Sequence, residues 1–259
     1  MEKKTVLITG GSSGIGAAMV TLFAENGYAV WFTYNTGAQR AGRLVDSLEN
    51  KHIESFQLDL GNRESHSRLL SSLPGKVDIL INNAGLGSKT VEKISSDMHG
   101  QDALLLSVNA LGPLWLARDI IPSMLERGSG KIIFISSVGG GVTQFPSFHP
   151  ADGMSKAAVA YLGRHLQAKY SNEPLDIFTI CPGATETPMF EASTLNGLDA
   201  KTRQRLVESL PGGRLIKPVE IARLALFLCT EEARVLRGAV IDASLGLGVH
   251  PGALTGGDK

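Results

Sequence analysis

The stretch that most constrains this chain is Thr9-Gly10-Gly11-Ser12-Ser13-Gly14-Ile15-Gly16, set between the apolar run Thr5-Val-Leu-Ile-Thr9 and a helical pattern from about Ile15 to Glu25. Glycines there let the backbone leave a strand sharply and approach whatever lies at the first turn of the helix. A second apolar run, Ala29-Val-Trp-Phe-Thr33, follows, so the opening third predicts a βαβ unit. Parallel strands joined by crossover helices demand a sheet covered on both faces.

The remainder repeats that alternation. A helix is predicted over Gln39 to Leu48, and strand-length runs lie at Ile53 to Leu58, Val77 to Ile81, Lys131 to Ile135 and Leu175 to Ile180, with helix-sized segments between them. Gln101 to Arg127 is apolar at helical spacing but holds Gly112, Pro113 and Pro122, which predicts a long, kinked helix. Helices over Met154 to Tyr170 and Val219 to Cys229, then a strand at Ala239 to Asp242, complete the pattern. No linker and no repeat divides the 259 residues, so the expected architecture is one α/β domain, 1–259, with a Rossmann-like doubly wound parallel sheet. The polar stretch 183–217 reads as a substrate lid, and the loop from Val138 to Pro150, with Phe145 and Phe148, as the wall of an apolar pocket. The apolar start of the tail, Ala243 to Gly257, is expected to pack at a subunit boundary or the substrate mouth.

Composition narrows the partners. Hydrophobic residues at 43% and charged residues at 19% suit a globular protein with a sizeable core. A formal net charge of +0, without any Lys/Arg run, argues against nucleic acid. Cys181 and Cys229 stand far apart with no CxxC or Cys/His cluster, which argues against a disulfide framework and a metal site. The first apolar run is too short for a signal peptide or a membrane span, so a cytoplasmic location and no membrane partner are expected.

The TGxxxGxG spacing of the glycine turn is joined by Asn82-Asn83-Ala84-Gly85 after the fourth strand, Asp59 closing the third, Asn109 in the central helix, and Pro182-Gly183 followed by Thr187. In that order these residues resemble the short-chain dehydrogenase/reductase family over nearly the whole length. The resemblance implies an NAD(P)-dependent oxidoreductase. Gly10, Ser12, Ser13, Gly14, Ile15 and Gly16 would meet the pyrophosphate, Asp59 and Leu60 the adenine, and Asn83, Ala84 and Gly85 the adenine-ribose side. Pro182, Gly183, Thr185 and Thr187 would cover the nicotinamide carboxamide. A small-molecule substrate, and a homodimer or homotetramer paired through the two long helices, are also implied. Where an acid would take the ribose 2′-hydroxyl stands Tyr34, followed by neutral Asn35 and Thr36 and then by Arg40 and Arg43, so charge favours NADP(H) over NAD(H).

The resemblance breaks at the reaction centre. The family uses Ser, Tyr and Lys, the last two spaced YxxxK; Ser137 and Lys156 match, but Asp152 stands four residues before the lysine. A phenol near pKa ~10 carries a proton at neutral pH, whereas a carboxyl near ~3.9 is ionised. At i and i+4, Asp152 and Lys156 are expected to pair, lowering the acid further and making Asp152 a poor proton donor, suited instead to be a base, a ribose contact or a holder of the lysine. His149, seven residues before Lys156, is similar in spacing to the YxxxxxxK arrangement of the enoyl-reductase branch and can donate a proton near neutrality. Tyr161 and Tyr170 fall on other faces or far down the helix. The expected catalytic set is Ser137, Lys156, Asn109, Asp152 and His149. It serves an NADP(H)-dependent reductase acting on a carbonyl, alcohol or conjugated alkene of a small or acyl-type substrate. A lyase or isomerase with Asp152 as base, or a non-catalytic dinucleotide-binding protein, are the alternatives.

Overall fold

The computed structural model describes residues 3–48, 52–145 and 148–250. Strands β1 (Thr5–Ile8), β2 (Ala29–Tyr34), β3 (Ile53–Gln57), β4 (Ile79–Asn82), β5 (Gly130–Ile135), β6 (Leu175–Pro182) and β7 (Val240–Ala243) run parallel in one sheet. Their order is β3-β2-β1-β4-β5-β6-β7. Among the helices are α1 (Gly14–Glu25), α2 (Ala38–Ser47), α3 (Arg63–Ser72), α4 (Ser88–Ile94), α5 (Met98–Glu126), α6 (Pro150–Lys169), α7 (Ala200–Ser209) and α8 (Pro218–Leu228).

Alternation along the strands builds two cores. Val6 and Ile8 of β1, Ile133 and Ile135 of β5, and Phe178 and Ile180 of β6 pack with Met19, Val20 and Phe23 of α1 and Ile221, Ala222 and Ala225 of α8. Their neighbours Leu7, Ile132, Phe134 and Ile177 turn the other way, onto Leu116, Ile120 and Met124 of α5 and Val159 and Leu166 of α6. Burial on both faces is why these strands read as unbroken apolar runs rather than alternating ones. By length and hydropathy α5 could cross a membrane, yet its Leu116, Ala117, Ile120, Ile121 and Met124 belong to the second core. Strand order reverses at β1, which has β2 on one side and β4 on the other, and a crevice opens beyond the carboxyl ends of such strands.

Several predicted boundaries move for identifiable reasons. The irregularity in α5 is a π-type turn at Ser107–Leu111, closed by Gly112 N–H donating to the Ser107 carbonyl. Pro113 has no N–H and its ring crowds the carbonyl four residues back, that of Asn109, so the wider turn removes the conflict. Helix α6 starts at Pro150, not Met154, because a proline suits the first turn, where no N–H is needed. Asp152 thereby sits in the first turn of a helix with His149 at its cap. The predicted lid is not an open loop: it carries the turns Pro188–Phe190 and Glu191–Leu195 and helix α7. Leu247, almost fully buried, packs with Val138 and Phe145, so the tail begins at the cleft wall. Residues 146–147 of the predicted pocket loop and those after 250 of the tail lie outside the described residues.

At the opposite end of the sheet from the crevice, one buried carboxylate gathers three cations. Lys131 Nζ of β5 lies 2.7 Å from Asp176 Oδ2 of β6, while Arg237 Nε and Arg234 Nε stand 3.1 and 3.6 Å from Oδ1. Arg237 also donates from Nη2 to the Leu175 and Glu173 carbonyls at 2.7 and 2.8 Å, tying the start of β6 to the approach to β7.

Candidate active site

A single cleft of about 850 Å³ lies at the carboxyl ends of the strands. Its floor is the glycine turn. Gly10 has φ +67°, which an L side chain rarely adopts, and a Cβ there would lie 2.9 Å from Ala84 Cα. The Asn83 side chain donates to the Thr9 carbonyl at 2.9 Å, and Thr9 Oγ1 accepts the Asn83 and Ala84 N–H groups at 3.0 Å, so the ends of β1 and β4 are locked together. Helix α1 opens with Ser13 at its cap, no side chain capping its first amides and no acid in its first turn. Uncapped N–H donors at the positive end of a helix, facing an open cleft, suit a pyrophosphate.

The adenosine end is built by the ends of β2 and β3. Tyr34, Asn35, Arg40, Asp59 and Leu60 line it together with Ser12. The Arg40 guanidinium folds back over Gly37, where a Cβ would meet Arg40 Nη2 at 2.8 Å and Ser12 Oγ at 2.9 Å. That puts the cation beside the glycine turn. Arg43 instead donates from Nε to the Gln39 carbonyl at 3.3 Å and takes no part in the cleft, so only one of the two predicted arginines faces it. Asp59 Oδ1 accepts the Gly61 N–H at 2.9 Å, fixing the turn after β3.

At the other end Ser137, Asp152, Lys156 and His149 line the cleft with Gly85, Pro182, Gly183, Thr185 and Thr187. Ser137 Oγ accepts the Gly139 N–H at 3.2 Å, and Ser136 Oγ donates to the Lys156 carbonyl at 2.7 Å, docking α6 against the end of β5. Lys156 Nζ reaches under Gly85, where a Cβ would lie 3.2 Å from it; any side chain at 85 would displace the ammonium. Burial pushes the Lys156 ammonium below its ordinary pKa, against the pull of Asp152. Asn109 does not line the cleft. Its Oδ1 accepts the Leu86 N–H at 2.7 Å, its Nδ2 donates to the Leu86 carbonyl and Ser155 Oγ at 2.9 and 3.1 Å, and Ser155 Oγ donates to the Asp152 carbonyl at 2.7 Å. Asn109 is therefore a positioning residue, clamping the turn after β4 to the first turn of α6. Cys181 is buried behind Ser136 and burial drives its thiol up to about 11, so it is no nucleophile.

Asp152 does not pair with Lys156 as their spacing implies. Among the described residues no ion pair within 4.0 Å joins Asp152 to Lys156. Burial raises the Asp152 carboxyl above its ordinary value, and the lowering effects of Lys156, the Ser88 N–H and His149 do not cancel it. Burial thus shifts the carboxyl upward where the i, i+4 spacing implied a downward shift. Two contributors had escaped the sequence reading. Ser88, at the start of α4, directs its N–H at the Asp152 carboxyl, and Asp102 of α5 lies 3.8 Å from His149 Nε2. An isolated acid ahead of the apolar run Ala103-Leu-Leu-Leu106 was the only available signal for Asp102.

Sheet order and cleft define a Rossmann-type nucleotide-binding fold. The short chain dehydrogenase family model matches residues 4–196, and the chain belongs to that family of oxidoreductases. A tropinone reductase homolog of Arabidopsis thaliana is 30% identical over 260 residues, 96% of this chain and 92% of the relative. The 3-oxoacyl-[acyl-carrier-protein] reductase of Thermotoga maritima is 29% identical over 258 residues, 95% of this chain and 98% of the relative. Among solved structures, a 3-ketoacyl-(acyl-carrier-protein) reductase from Brucella melitensis complexed with NADH superposes with TM-score 0.81 at 27% identity, covering 95% of this chain and 99% of the other. ElxO with NADP bound gives 0.80 at 26% identity, over 95% and 98%. An actinorhodin polyketide ketoreductase with NADPH gives 0.85 at 24% identity, over 95% and 97%, a likeness of fold.

Proposed function

We propose that this protein is a reductase that uses NADP(H) in preference to NAD(H) on the carbonyl, or conjugated alkene, of a small or acyl-type apolar substrate. The observation that carries this reading is the continuity of the cleft: one cavity joins the uncapped end of α1 to Ser137, Asp152 and Lys156. When bound, the dinucleotide supplies the hydride. Gly10, Ser12, Ser13, Gly14, Ile15 and Gly16 would hold its pyrophosphate; Asp59, Leu60, Asn83, Ala84 and Gly85 its adenosine side; and Pro182, Gly183, Thr185 and Thr187 its nicotinamide end.

The chain's own residues then divide the work. Lys156 orients the ribose, and as an unpaired buried ammonium it gains a partner when a hydroxyl arrives. Ser137 polarises the substrate oxygen. His149 or a bound water supplies the proton that a tyrosine supplies elsewhere in the family, with Asp152 and Lys156 in the same cleft wall. Phe145, Phe148, Ile94, Met189 and Leu247 line the same cleft and give an apolar substrate its wall. The stretch 183–217 closes over the substrate. The protein is expected to act in the cytoplasm as a homodimer or homotetramer, with Leu111, Met154 and Tyr161 exposed on its two long helices.

Stoichiometry tests this function. Each alcohol or saturated product formed is matched by one NADPH consumed, and omission of dinucleotide abolishes turnover. Product formed at an undiminished rate without dinucleotide would instead make Asp152 the base of a lyase or isomerase. Cofactor choice is tested at Arg40. Arg40→Glu raises the KM for NADPH about tenfold, through loss of a charge-assisted contact and added repulsion, and leaves that for NADH within about twofold. Equal effects on both cofactors would remove Arg40 from the argument.

A further inference from the structure

We propose that His66 is a positioning residue for the adenine end of the dinucleotide, holding the Leu60 carbonyl from behind and so fixing the cleft wall against which the base lies. This rests on the cofactor reading above and adds to it a residue outside the cleft lining. His66 stands at the start of α3 and is fully buried. Its ring Nε2 lies 3.0 Å from the Leu60 carbonyl oxygen. A carbonyl can only accept, so Nε2 carries the hydrogen and donates. Nδ1 is sealed from solvent with no hydrogen-bond partner, which leaves the bond to Leu60 as the ring's single polar anchor among the described residues. Neutral ring and imidazolium both present that Nε2–H, so the placement does not turn on titration.

The same turn is held from other sides. A Cβ on Gly112 of α5 would lie 2.8 Å from the Leu60 carbonyl oxygen and 2.9 Å from the Leu60 Cβ, so helix and turn meet there with no room for a side chain. One residue earlier, the Asp59 N–H donates to Ser65 Oγ at 2.9 Å. Adjacent residues of α3, Ser65 and His66, thus hold adjacent residues of the turn, Asp59 and Leu60, and both of the latter line the cleft beside Leu58 and Val108. The imidazole is itself fixed. It meets Trp115 of α5 edge-on, with ring centroids 5.8 Å apart, and Trp115 lies under the Arg63 guanidinium, which is 2.7 Å from Asp119. Burying an imidazole with one nitrogen unpartnered is a cost that an apolar side chain would avoid. What the histidine adds at this place is the donor to Leu60.

The test separates the two ends of the cofactor. His66→Phe keeps a ring against Trp115 and removes the donor. In that variant the Kd of NADPH and the Kd of 2′,5′-ADP, which fills only the adenosine end, rise together about three- to tenfold, the scale of one hydrogen bond. The Kd of reduced nicotinamide mononucleotide, which has no adenosine, and kcat at saturating NADPH stay within about twofold of the parent. His66→Gln, whose amide nitrogen can take the place of Nε2, restores the parent constants. Gly112→Ala presses on the same carbonyl from the α5 side and gives the same split, so the proposal stays open to test even where His66→Phe fails to fold. Asp176→Asn, at the far end of the sheet, is the control for lost stability and leaves all three binding constants unmoved.

Unchanged binding of NADPH and 2′,5′-ADP in both His66→Phe and Gly112→Ala overturns the proposal. So does an equal loss with reduced nicotinamide mononucleotide, the mark of general loosening. A parent that binds neither NADPH nor 2′,5′-ADP defeats the cofactor reading and this placement with it, whereas a parent that binds both as tightly as the variants do defeats the placement alone.

Discussion

Lys156→Ala lowers kcat/KM for the reductive reaction about 10²- to 10³-fold, a loss on the scale of misplacing a reacting group, and does not lower the thermal midpoint. The two halves follow from one geometry. Lys156 Nζ lies under Gly85 at the junction of the dinucleotide and substrate ends of the cleft, so its removal frees the ribose it is proposed to orient. Burial already disfavours its charged form, and no ion pair within 4.0 Å offsets that cost among the described residues. Truncation therefore deletes a catalytic contact without breaking a structural one. Steady-state kinetics beside a melting curve check this. A variant that keeps parent turnover would show that the lysine is not part of the chemistry and would favour a protein that binds dinucleotide without using it.

Asp176→Asn has the opposite profile, with large loss of stability and little loss of chemistry. Lys131, Arg237 and Arg234 converge on this carboxylate, and Asp176 and Lys131 have side chains only 7% and 8% exposed. Removing the charge leaves the buried Lys131 and the partly buried Arg237 without their counter-ion, a change that costs about 3–5 kcal/mol. For a chain of this size that is a fall in Tm on the order of 10 °C. Because Lys131 enters β5 at the end remote from the cleft, kcat at room temperature stays within about twofold of the parent. Differential scanning calorimetry decides it. A Tm within about 2 °C would mean that solvent replaces the carboxylate and that the cluster contributes little.

Local signals account for what the sequence disclosed. Parallel strands appear as apolar runs because both faces are covered, and the glycine turn, Asn83, Asp59 and Lys156 are tied to motif spacing. What stayed hidden depends on groups distant in the chain. The i, i+4 spacing of Asp152 and Lys156 predicted an ion pair and a lowered acid, but spacing says nothing of burial, and burial prevails. Nothing local announces that Arg40 folds toward Ser12 while Arg43 turns back on Gln39, since both lie on one helix with similar surroundings in sequence. The π-type turn in α5 was foreshadowed by Pro113 only as an irregularity, because whether a helix kinks or widens depends on what its neighbours hold in place. The Lys131–Asp176–Arg237 cluster carries no sequence pattern at all, being assembled by packing, and Asp102 shows only as an isolated acid before an apolar run.

The measurement closest to the central claim is a titration of the purified protein with NADPH and with NADH, following nicotinamide fluorescence, and then mixing of the complex with neutral ketones and enoyl thioesters while absorbance of the reduced nicotinamide is watched. The account predicts saturable binding of both, tighter for NADPH, and loss of the reduced-nicotinamide band on at least one apolar substrate. No binding of either dinucleotide would contradict the assignment of the cleft, and tight binding with no oxidation across both substrate classes would contradict the reductase.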